Sequence, residues 1–439
     1  PSFISRRTFN WLPLGLTYAF LYMGRYNLTV AKNAMGTLIT NADFGTIFGI
    51  GTLVYGFSFI INGPLTDKIG GRKTILISAL GSALANLAMG LVVYSGTTNV
   101  VPWFVACYAV NMYFQSFGAV SIVKVNAAWF HLRERGTFGG IFGILISLGV
   151  YFAFDWGSLI VKNAPVEMVF FIPMVMLLIF AVVDYFMVFD TPGEAGHRDF
   201  DTGDASSGDT GPRLSAIEVA KRMARNPAIV TIALIEFCSG FLRNAIMQWY
   251  LIFAKQTGQM TQFIASNWGL ANCCAGILGG VFAGTISDKL FNSRRGPVSS
   301  ILYGVMLVGA LISVPLLTSS SLGWVVRFMM LSVIGVHGML SGTASMDFGG
   351  KRNVGVAVGL IDGMVYLGTG LQALVYGNIL PSGDAVKDPA NWINWPLAMI
   401  PVAAIGFFLA IRLWNAKPVS LKKTMPHFEA TDSTKSKTR

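Results

Sequence analysis

The amino-acid sequence predicts an all-α membrane protein with twelve transmembrane helices in two sets of six. Two compositional observations favour this fold class: 53% of the 439 residues are hydrophobic and only 12% are charged, about half the charged share of a soluble protein. The third is that apolar stretches of roughly 20 residues, long enough to cross a bilayer, recur along the chain. The same composition excludes a disordered protein, a secreted disulfide scaffold and a nucleic-acid binder.

The apolar stretches fall into two groups of six on either side of a polar interval. They lie at about 10–35, 43–64, 74–95, 102–130, 138–161, 165–189, 227–254, 262–287, 297–318, 322–346, 354–380 and 392–414. The interval 190–226 is rich in Gly, Asp and Ser and becomes basic and helix-like from Ser215, which is typical of a mobile linker followed by a short surface helix. The expected divisions are therefore 1–189, the linker 190–226, 227–416 and a basic tail at 417–439.

The distribution of positive charge predicts the orientation of the spans. If both termini are cytoplasmic, the opposite side carries only Lys32, Lys162, Lys255 and Lys387, and the other loop and tail lysines and arginines lie on the cytoplasmic side. Positive residues are retained on the cytoplasmic side during insertion. We therefore expect a multi-pass membrane protein with both termini in the cytoplasm.

Two loops of similar sequence indicate an internal repeat. Asp67-Lys68 follows the second span and Asp288-Lys289 follows the eighth, 221 positions later, and a basic cluster follows each pair. In a chain with twelve spans, this repeat resembles the signature of the major facilitator superfamily. The resemblance implies two six-helix bundles with a substrate cavity between them near the midplane of the membrane. It also implies a gating role for the loop residues Asp67, Arg72, Asp288 and Arg294.

Two arginines lie near the middle of predicted spans, where a charged side chain is costly and therefore a functional candidate. Arg25 is in the first span and Arg243 is in the seventh, 218 positions later, so they are near-equivalents under the repeat. Two guanidiniums in a low-dielectric site repel each other unless an anion lies between them. A phosphate can accept a pair of parallel hydrogen bonds from each guanidinium. The alternative is that each pairs with an internal acid, which for Arg243 is Glu236, seven residues earlier on the same helical face.

The segments around the arginines resemble the organophosphate:phosphate antiporters, which include the bacterial glycerol-3-phosphate and hexose-phosphate carriers. The resemblance rests on Tyr18-Ala-Phe-Leu-Tyr22-Met-Gly-Arg25, Phe241-Leu-Arg243-Asn and Tyr366-Leu-Gly368. It implies that both arginines bind phosphate and that Tyr18, Tyr22 and Tyr366 contribute to the site. Tyr18 and Tyr22 precede Arg25 by seven and three residues, which places all three on one helical face.

The chain also departs from that family's pattern. Phe59, Ile146 and Cys273 stand where the glycerol-3-phosphate carrier has a lysine, a histidine and an acid, and Lys124 replaces a family arginine near the cytoplasmic end of the fourth span. The resemblance therefore supports phosphate recognition, with Lys124 as a further substrate-binding candidate, more strongly than it supports glycerol 3-phosphate as the substrate.

Asp362 has no acidic counterpart in that family and lies four residues before Tyr366, on the same face of the eleventh span. It is a substrate-site candidate with two open roles. Either it pairs with a cavity cation such as Arg243 or Lys124, or it binds a coupling proton.

The function expected from the sequence is secondary exchange of an organic phosphate, such as a sugar phosphate, for inorganic phosphate by alternating access. The alternatives are a proton-coupled symporter of a carboxylate or sugar acid that uses Asp362 or Glu236, and a sensor that does not transport. The sequence lacks a P-loop, a Ser-His-Asp arrangement and a metal-ligand cluster, so we expect neither an enzyme nor a cofactor or metal site. The expected partners are the two phosphates and the lipid bilayer, and the expected state is a monomer.

Overall fold

The computed structural model describes residues 2–131, 134–203, 212, 214–259, 262–291 and 294–416, without the side chains of 135–140, 262–266, 288, 342–344, 346–348, 350 and 351. The side chain of the predicted gating residue Asp288 and the predicted basic tail at 417–439 lie outside this description. Helices account for nearly all of the regular structure that is described.

The first half of the described chain contains seven α-helices. They are α1 (Phe3–Met35), α2 (Asn41–Ile69), α3 (Gly71–Tyr94), α4 (Val101–Trp129), α5 (Arg135–Tyr151), α6 (Gly157–Asn163) and α7 (Met168–Met187), with a π-helical turn at Phe152–Trp156 joining α5 to α6. Thr40 and Asp43 form a capping box that begins α2, which satisfies two otherwise unpaired amides. Gly70, at φ +102°, separates α2 from α3 in a single residue, a backbone conformation that glycine adopts without strain.

The second half of the described chain contains eight helices. They are α8 (Ala216–Arg225), α9 (Pro227–Met247), α10 (Trp249–Gln256), α11 (Gln262–Leu290), α12 (Arg295–Ser313), α13 (Leu322–His337), α14 (Ala344–Ile379) and α15 (Asn394–Arg412). A π-helical segment at Gly338–Thr343 joins α13 to α14. Ser215 caps α8 with its side chain, and Asn226 caps α9 immediately before Pro227, both favoured helix starts.

Ten of the twelve predicted spans correspond to described helices that are long and apolar enough to cross a membrane. The other two are α1 and α4, with 33 and 29 residues. Their hydropathy is lower because they carry buried polar side chains, including Arg25 and Asn27 on α1 and Asn111 and Gln115 on α4. These side chains are hydrogen-bonded inside the protein, so low hydropathy here marks polar packing and not exposure.

Small residues let α14 pack closely against helices of both halves. A Cβ atom at Gly63 of α2 would lie 2.3 Å from the carbonyl oxygen of Gly355, and one at Gly240 of α9 would lie 1.9 Å from that of Val365. Membrane helices approach this closely only where side chains are absent from the contact. The result is that α14 lies between α2 and α9 and brings Tyr366 to the boundary between the two halves.

A second contact between the halves joins α5 and its π-helical turn to α11. The carboxylate of Asp155 accepts hydrogen bonds of 2.8 Å from the backbone amides of both Gly269 and Leu270. A Cβ at Gly276 would lie 2.1 Å from the Ser147 hydroxyl. The halves therefore touch where α5 packs against α11 as well as where α2 packs against α14.

The start of α1 is attached to the loop after α4 by an ion pair. Arg7 donates two hydrogen bonds to the carboxylate of Glu134, at 3.0 and 3.3 Å, and its guanidinium lies 4.4 Å from the ring centroid of Phe130. Glu134 also accepts a hydrogen bond from the backbone amide of His131. This bidentate geometry fixes the N-terminal turn of α1 against the predicted cytoplasmic face.

Acidification is expected to weaken this attachment. The hydrogen bonds from Arg7 hold the pKa of Glu134 below its usual range, so the contact stabilises the protein fully above the ordinary glutamate pKa of about 4.3. That stabilisation is lost as the pH falls through the lower value of the folded state. Because 45% of the Glu134 side chain is exposed, its contribution is below about 1 kcal/mol.

Thermal unfolding of the detergent-solubilised protein measures this effect. The variant Glu134→Gln is expected to have a lower Tm than the parent at pH 7, and a smaller difference in Tm at about pH 3, where more of the parent side chain is protonated. A difference in Tm that is equal at both pH values would contradict the electrostatic origin of the contact.

Candidate substrate site

Arg25 is fully buried on α1 and is held by neutral groups from three other helices. Its Nε donates to Gln115 Oε1 at 2.8 Å, its Nη2 donates to the Tyr55 hydroxyl at 2.7 Å, and its Nη1 lies 3.4 Å from the Tyr366 hydroxyl. The guanidinium also lies 4.5 Å from the ring centroid of Tyr22 and 4.3 Å from that of Tyr55. These contacts orient the charge and attract it through the ring faces, but they do not neutralise it.

Arg243 occupies the corresponding position on α9 and is less well satisfied. Its side chain is 4% exposed, and its Nε and Nη2 atoms have no hydrogen-bond partner among the described residues. Its guanidinium lies 5.5 Å from the ring centroid of Tyr366. Buried donors without partners are rare because desolvation costs about 1–3 kcal/mol each, and more for a charged group.

Tyr366 of α14 connects the two arginines. Its hydroxyl contacts Arg25 while its ring contacts Arg243, and the Tyr22 hydroxyl lies 3.5 Å from the same hydroxyl. Tyr18 packs edge-on against Tyr22, with ring centroids 5.1 Å apart. The structure thus brings together the two arginines and the three tyrosines that the sequence singled out.

The buried acids near these arginines are engaged elsewhere. Glu236 Oε2 lies 2.8 Å from Nδ1 of His337 on α13, and Asp362 accepts a hydrogen bond from Ser341. Within the described side chains, no carboxylate oxygen lies within 4 Å of either guanidinium. The pairing of Arg243 with Glu236 that the sequence left open is therefore not formed, nor is an ion pair of Asp362 with Arg243 or Lys124.

A small cavity adjoins Arg243. It is lined by Tyr22, Tyr26, Ile146, His337 and other side chains from both halves and has a volume of about 20 Å³, enough for a single water molecule. A phosphate ester does not fit, so this conformation is closed around the arginines. Loading a substrate requires the helices that line the cavity to separate.

Lys124 lies in a different environment from the arginines. Its Nζ is 2.9 Å from Asp67 Oδ1, and Asp67 also accepts hydrogen bonds from the backbone amides of Gly355 and Val356 on α14. Lys124 and Asp67 line a cavity of about 390 Å³ that also includes Asp190 and Arg352. The predicted substrate ligand Lys124 is thus placed with the predicted gate residue Asp67, in a contact between the halves.

Two other predicted gating residues, Arg72 and Arg294, lie at the same ends of the helices as Asp67 and Lys124. The Arg72 backbone amide donates to Asp190 at 2.8 Å, and its guanidinium lies 4.9 Å from the ring centroid of Phe189. Arg294 donates to Asn415 at 3.1 Å. Arg72 and Arg294 each contact residues of their own half, whereas Asp67 contacts the other half.

Sequence reasoning missed three residues that build the site. Gln115 and Tyr55 hold the Arg25 guanidinium directly, and His337 holds Glu236. Gln115 follows Asn111 by four residues on α4, and such a polar pair on one face of an apolar span is a signal that identifies Gln115. Tyr55 and His337 resemble ordinary packing residues, and only the tertiary contacts identify them.

Comparison with known proteins agrees with this architecture. A sequence model of the Major Facilitator Superfamily matches residues 14–373. The chain superimposes on a bacterial homolog of the human lysosomal transporter Spinster, in an inward-facing and unoccupied conformation, with a TM-score of 0.65 and 13% identity over 93% of this chain and 98% of that one. At this identity the superposition supports the fold alone.

Three relatives in sequence cover most of the chain. A probable hexose phosphate transport protein of Chlamydia trachomatis is 23% identical over 93% of this chain and 91% of its own. The membrane sensor protein UhpC of Salmonella typhimurium is 25% identical, over 92% and 91%. The glycerol-3-phosphate transporter of Bacillus subtilis is 24% identical, over 91% and 90%. Because the superfamily match spans most of the sequence and the helices have the fold it implies, this protein belongs to the Major Facilitator Superfamily.

Proposed function

We propose that this protein is a secondary carrier that exchanges an organic phosphate, such as a sugar phosphate, for inorganic phosphate. One observation carries the proposal. Arg25 and Arg243, one from each half, are buried around Tyr366 without a carboxylate within 4 Å in the described part of the chain. Two uncompensated guanidiniums at low dielectric favour a doubly negative guest.

The relatives support the same chemistry. Two of them are named for the transport of hexose phosphate or glycerol 3-phosphate, and phosphate is the group these substrates share. The unpaired Nε and Nη2 of Arg243 supply donors for phosphate oxygens, and the tyrosine hydroxyls supply further hydrogen bonds. The organic part of the substrate would meet the apolar wall at Ile146, where the glycerol-3-phosphate carrier has a histidine.

The proposed cycle follows from the charge balance. Phosphate neutralises the repulsion between the arginines and draws the two bundles, 1–189 and 227–416, together. The empty carrier retains two facing cations, which slows its reorientation and favours exchange over net transport. Breaking the contacts of Asp67 with Lys124 and with the backbone amides of Gly355 and Val356 would open one end of the cavity. We place the protein in the bacterial inner membrane with both termini cytoplasmic, acting as a monomer.

Counterflow in proteoliposomes tests this function. Vesicles are loaded with inorganic phosphate, and uptake of labelled phosphate, glucose 6-phosphate and glycerol 3-phosphate is followed. Uptake is expected only with phosphate inside, and sulfate-loaded vesicles of the same protein serve as the control. Uptake that follows a pH gradient without internal phosphate would contradict exchange and indicate proton symport.

A second candidate function is sensing, because the similarity to the membrane sensor protein UhpC is as high as that to the two transport proteins. A thermal-shift series with phosphate esters separates the two functions, since binding stabilises the folded state whether or not transport follows. A sensor would be stabilised by a phosphate ester but would show no counterflow. A carrier would show both.

A further inference from the structure

The predicted periplasmic face carries a cavity between the two halves that no part of the proposed transport site uses. It has a volume of about 210 Å³ and is lined by Asn33 of α1, Ser158 and Lys162 of α6, and Leu251 and Lys255 of α10, among others. We call it the outer lysine cavity. None of the described residues that line it is acidic.

The lysines of this cavity are a large share of the lysines on the predicted periplasmic face. That face has only four loop or helix-end lysines, and two of them, Lys162 and Lys255, line this one cavity from opposite halves. A third, Lys32, directly precedes the lining residue Asn33 and is buried. Each lies in the last turn of its helix, where the helix dipole favours a cation. The dipole does not explain why helices of both halves place their lysines at the same cavity.

The groups available in the cavity suit an anion. The side chain of Lys162 is exposed and forms no hydrogen bond or ion pair within the described chain, so its ammonium is available for a ligand. Lys255 donates to the carbonyl oxygen of Asn33, which keeps it at the junction of the halves. By contrast, Lys387, the fourth lysine of this face, is paired with Asp384 at 3.1 Å.

The outer lysine cavity lies on the helices that carry the two arginines. Asn33 follows Arg25 on α1 by eight residues, about 12 Å along a helix, and Lys255 belongs to α10, which follows the helix of Arg243. Between these levels, the Thr29 hydroxyl donates to Gln248 Oε1 at 2.5 Å across the boundary of the halves. The order from the surface inward is therefore lysines, a hydrogen-bonded closure and arginines.

We propose that the outer lysine cavity is a capture site for the phosphate group of soluble substrates on their way to Arg25 and Arg243. This rests on the proposed function and adds a second, surface site to it. Lysines whose charge is not cancelled raise the local concentration of anions at a cleft. Rupture of the Thr29–Gln248 contact then opens the path inward.

Steady-state exchange measured from each side of the membrane tests the capture site. The variants are Lys162→Gln, Lys255→Gln, the charge-retaining Lys162→Arg, and Lys387→Gln as the matched control from the same face. Initial rates are followed against external phosphate in intact cells and in everted vesicles. Loss of one charge near the phosphate is expected to raise the half-saturating concentration about fivefold, which corresponds to about 1 kcal/mol at contact distance in water.

The expected pattern is specific. The increase appears from one side only, leaves the maximal rate unchanged, is absent in Lys162→Arg and Lys387→Gln, and shrinks above about 0.5 M salt because the attraction is screened. The proposal would be overturned if the half-saturating phosphate concentration stayed unchanged, or if it rose equally from both sides of the membrane. Failure of the wild-type protein to exchange phosphate would instead refute the proposed function.

A lipid headgroup presents the same phosphate chemistry and is distinguished by the membrane composition. The measurements are repeated in liposomes of phosphatidylcholine alone and with one third phosphatidylglycerol. Capture of soluble phosphate predicts that the Lys162→Gln effect persists in phosphatidylcholine alone. An effect that appears only with phosphatidylglycerol would assign the cavity to lipid and overturn its role in substrate capture.

Discussion

Replacement of Arg25 or Arg243 by lysine is expected to abolish phosphate exchange while leaving the protein folded. Lysine keeps the positive charge but loses the planar fork that binds two oxygens at once. Arg25 uses all three of its nitrogens, toward Gln115, Tyr55 and Tyr366, and an ammonium cannot reproduce that arrangement. Each lost charge-assisted hydrogen bond costs about 1.5–3 kcal/mol, so two of them reduce the rate by roughly a hundredfold or more.

Counterflow and thermal unfolding measured on the same preparation separate loss of the site from loss of the fold. The matched control is Arg327→Lys, which changes another intramembrane arginine, one whose guanidinium lies 4.7 Å from the ring of Trp324. This variant is expected to exchange phosphate at nearly the parental rate. Normal exchange in either Arg25→Lys or Arg243→Lys would refute the two-arginine site.

Replacement of His337 by phenylalanine is expected to reduce exchange at least tenfold, through Glu236. In the structure His337 Nδ1 lies 2.8 Å from Glu236 Oε2, and Glu236 Oε1 has no hydrogen-bond partner among the described residues. Glu236 precedes Arg243 by two helical turns on one face of α9. Without His337, the buried carboxylate needs a new partner, and Arg243 lies on the same helical face with Nε and Nη2 that have no partner among the described residues. An Arg243 that is paired with Glu236 no longer binds phosphate.

The double variant Glu236→Gln/His337→Phe separates this explanation from simple damage to α13. With Glu236 neutralised, Arg243 stays available, so exchange is expected to recover to within a fewfold of the parent, and Glu236→Gln alone is expected to change it little. If the double variant stays as inactive as His337→Phe, Glu236 does not compete for Arg243. Thermal unfolding of each variant, with and without phosphate, shows whether the ligand still stabilises the protein.

The fold followed from the sequence because span length and composition are local properties. Ten described helices meet the bilayer criteria, and the superfamily match confirms the predicted fold class and the prediction that the protein is not an enzyme. Only α1 and α4 depart from simple hydropathy. Their buried polar side chains need partners that lie on other helices, and no property of either segment by itself reports those partners.

The charged centres were predictable, but their partners were not. A permanent cation in an apolar span is costly wherever it points, so the positions of Arg25 and Arg243 in the sequence already indicated a site. Whether an acidic side chain pairs with either arginine depends on distances between helices. Glu236 was equally compatible with Arg243 or with another partner until α13 placed His337 beside it. Lys124 likewise became part of a contact with Asp67 only when α2 and α4 packed together.

The sequence by itself determined that this chain spans a membrane in two related halves and that each half contributes one buried guanidinium. It did so because transfer of apolar and charged groups out of water has a free energy that depends mainly on the groups themselves. Only the tertiary structure decided that both cations surround Tyr366, that Glu236 turns to His337, and that lysines of both halves meet at one outer cavity. Those outcomes depend on contacts between helices distant in the sequence, where shifts of a few ångströms decide which charges meet.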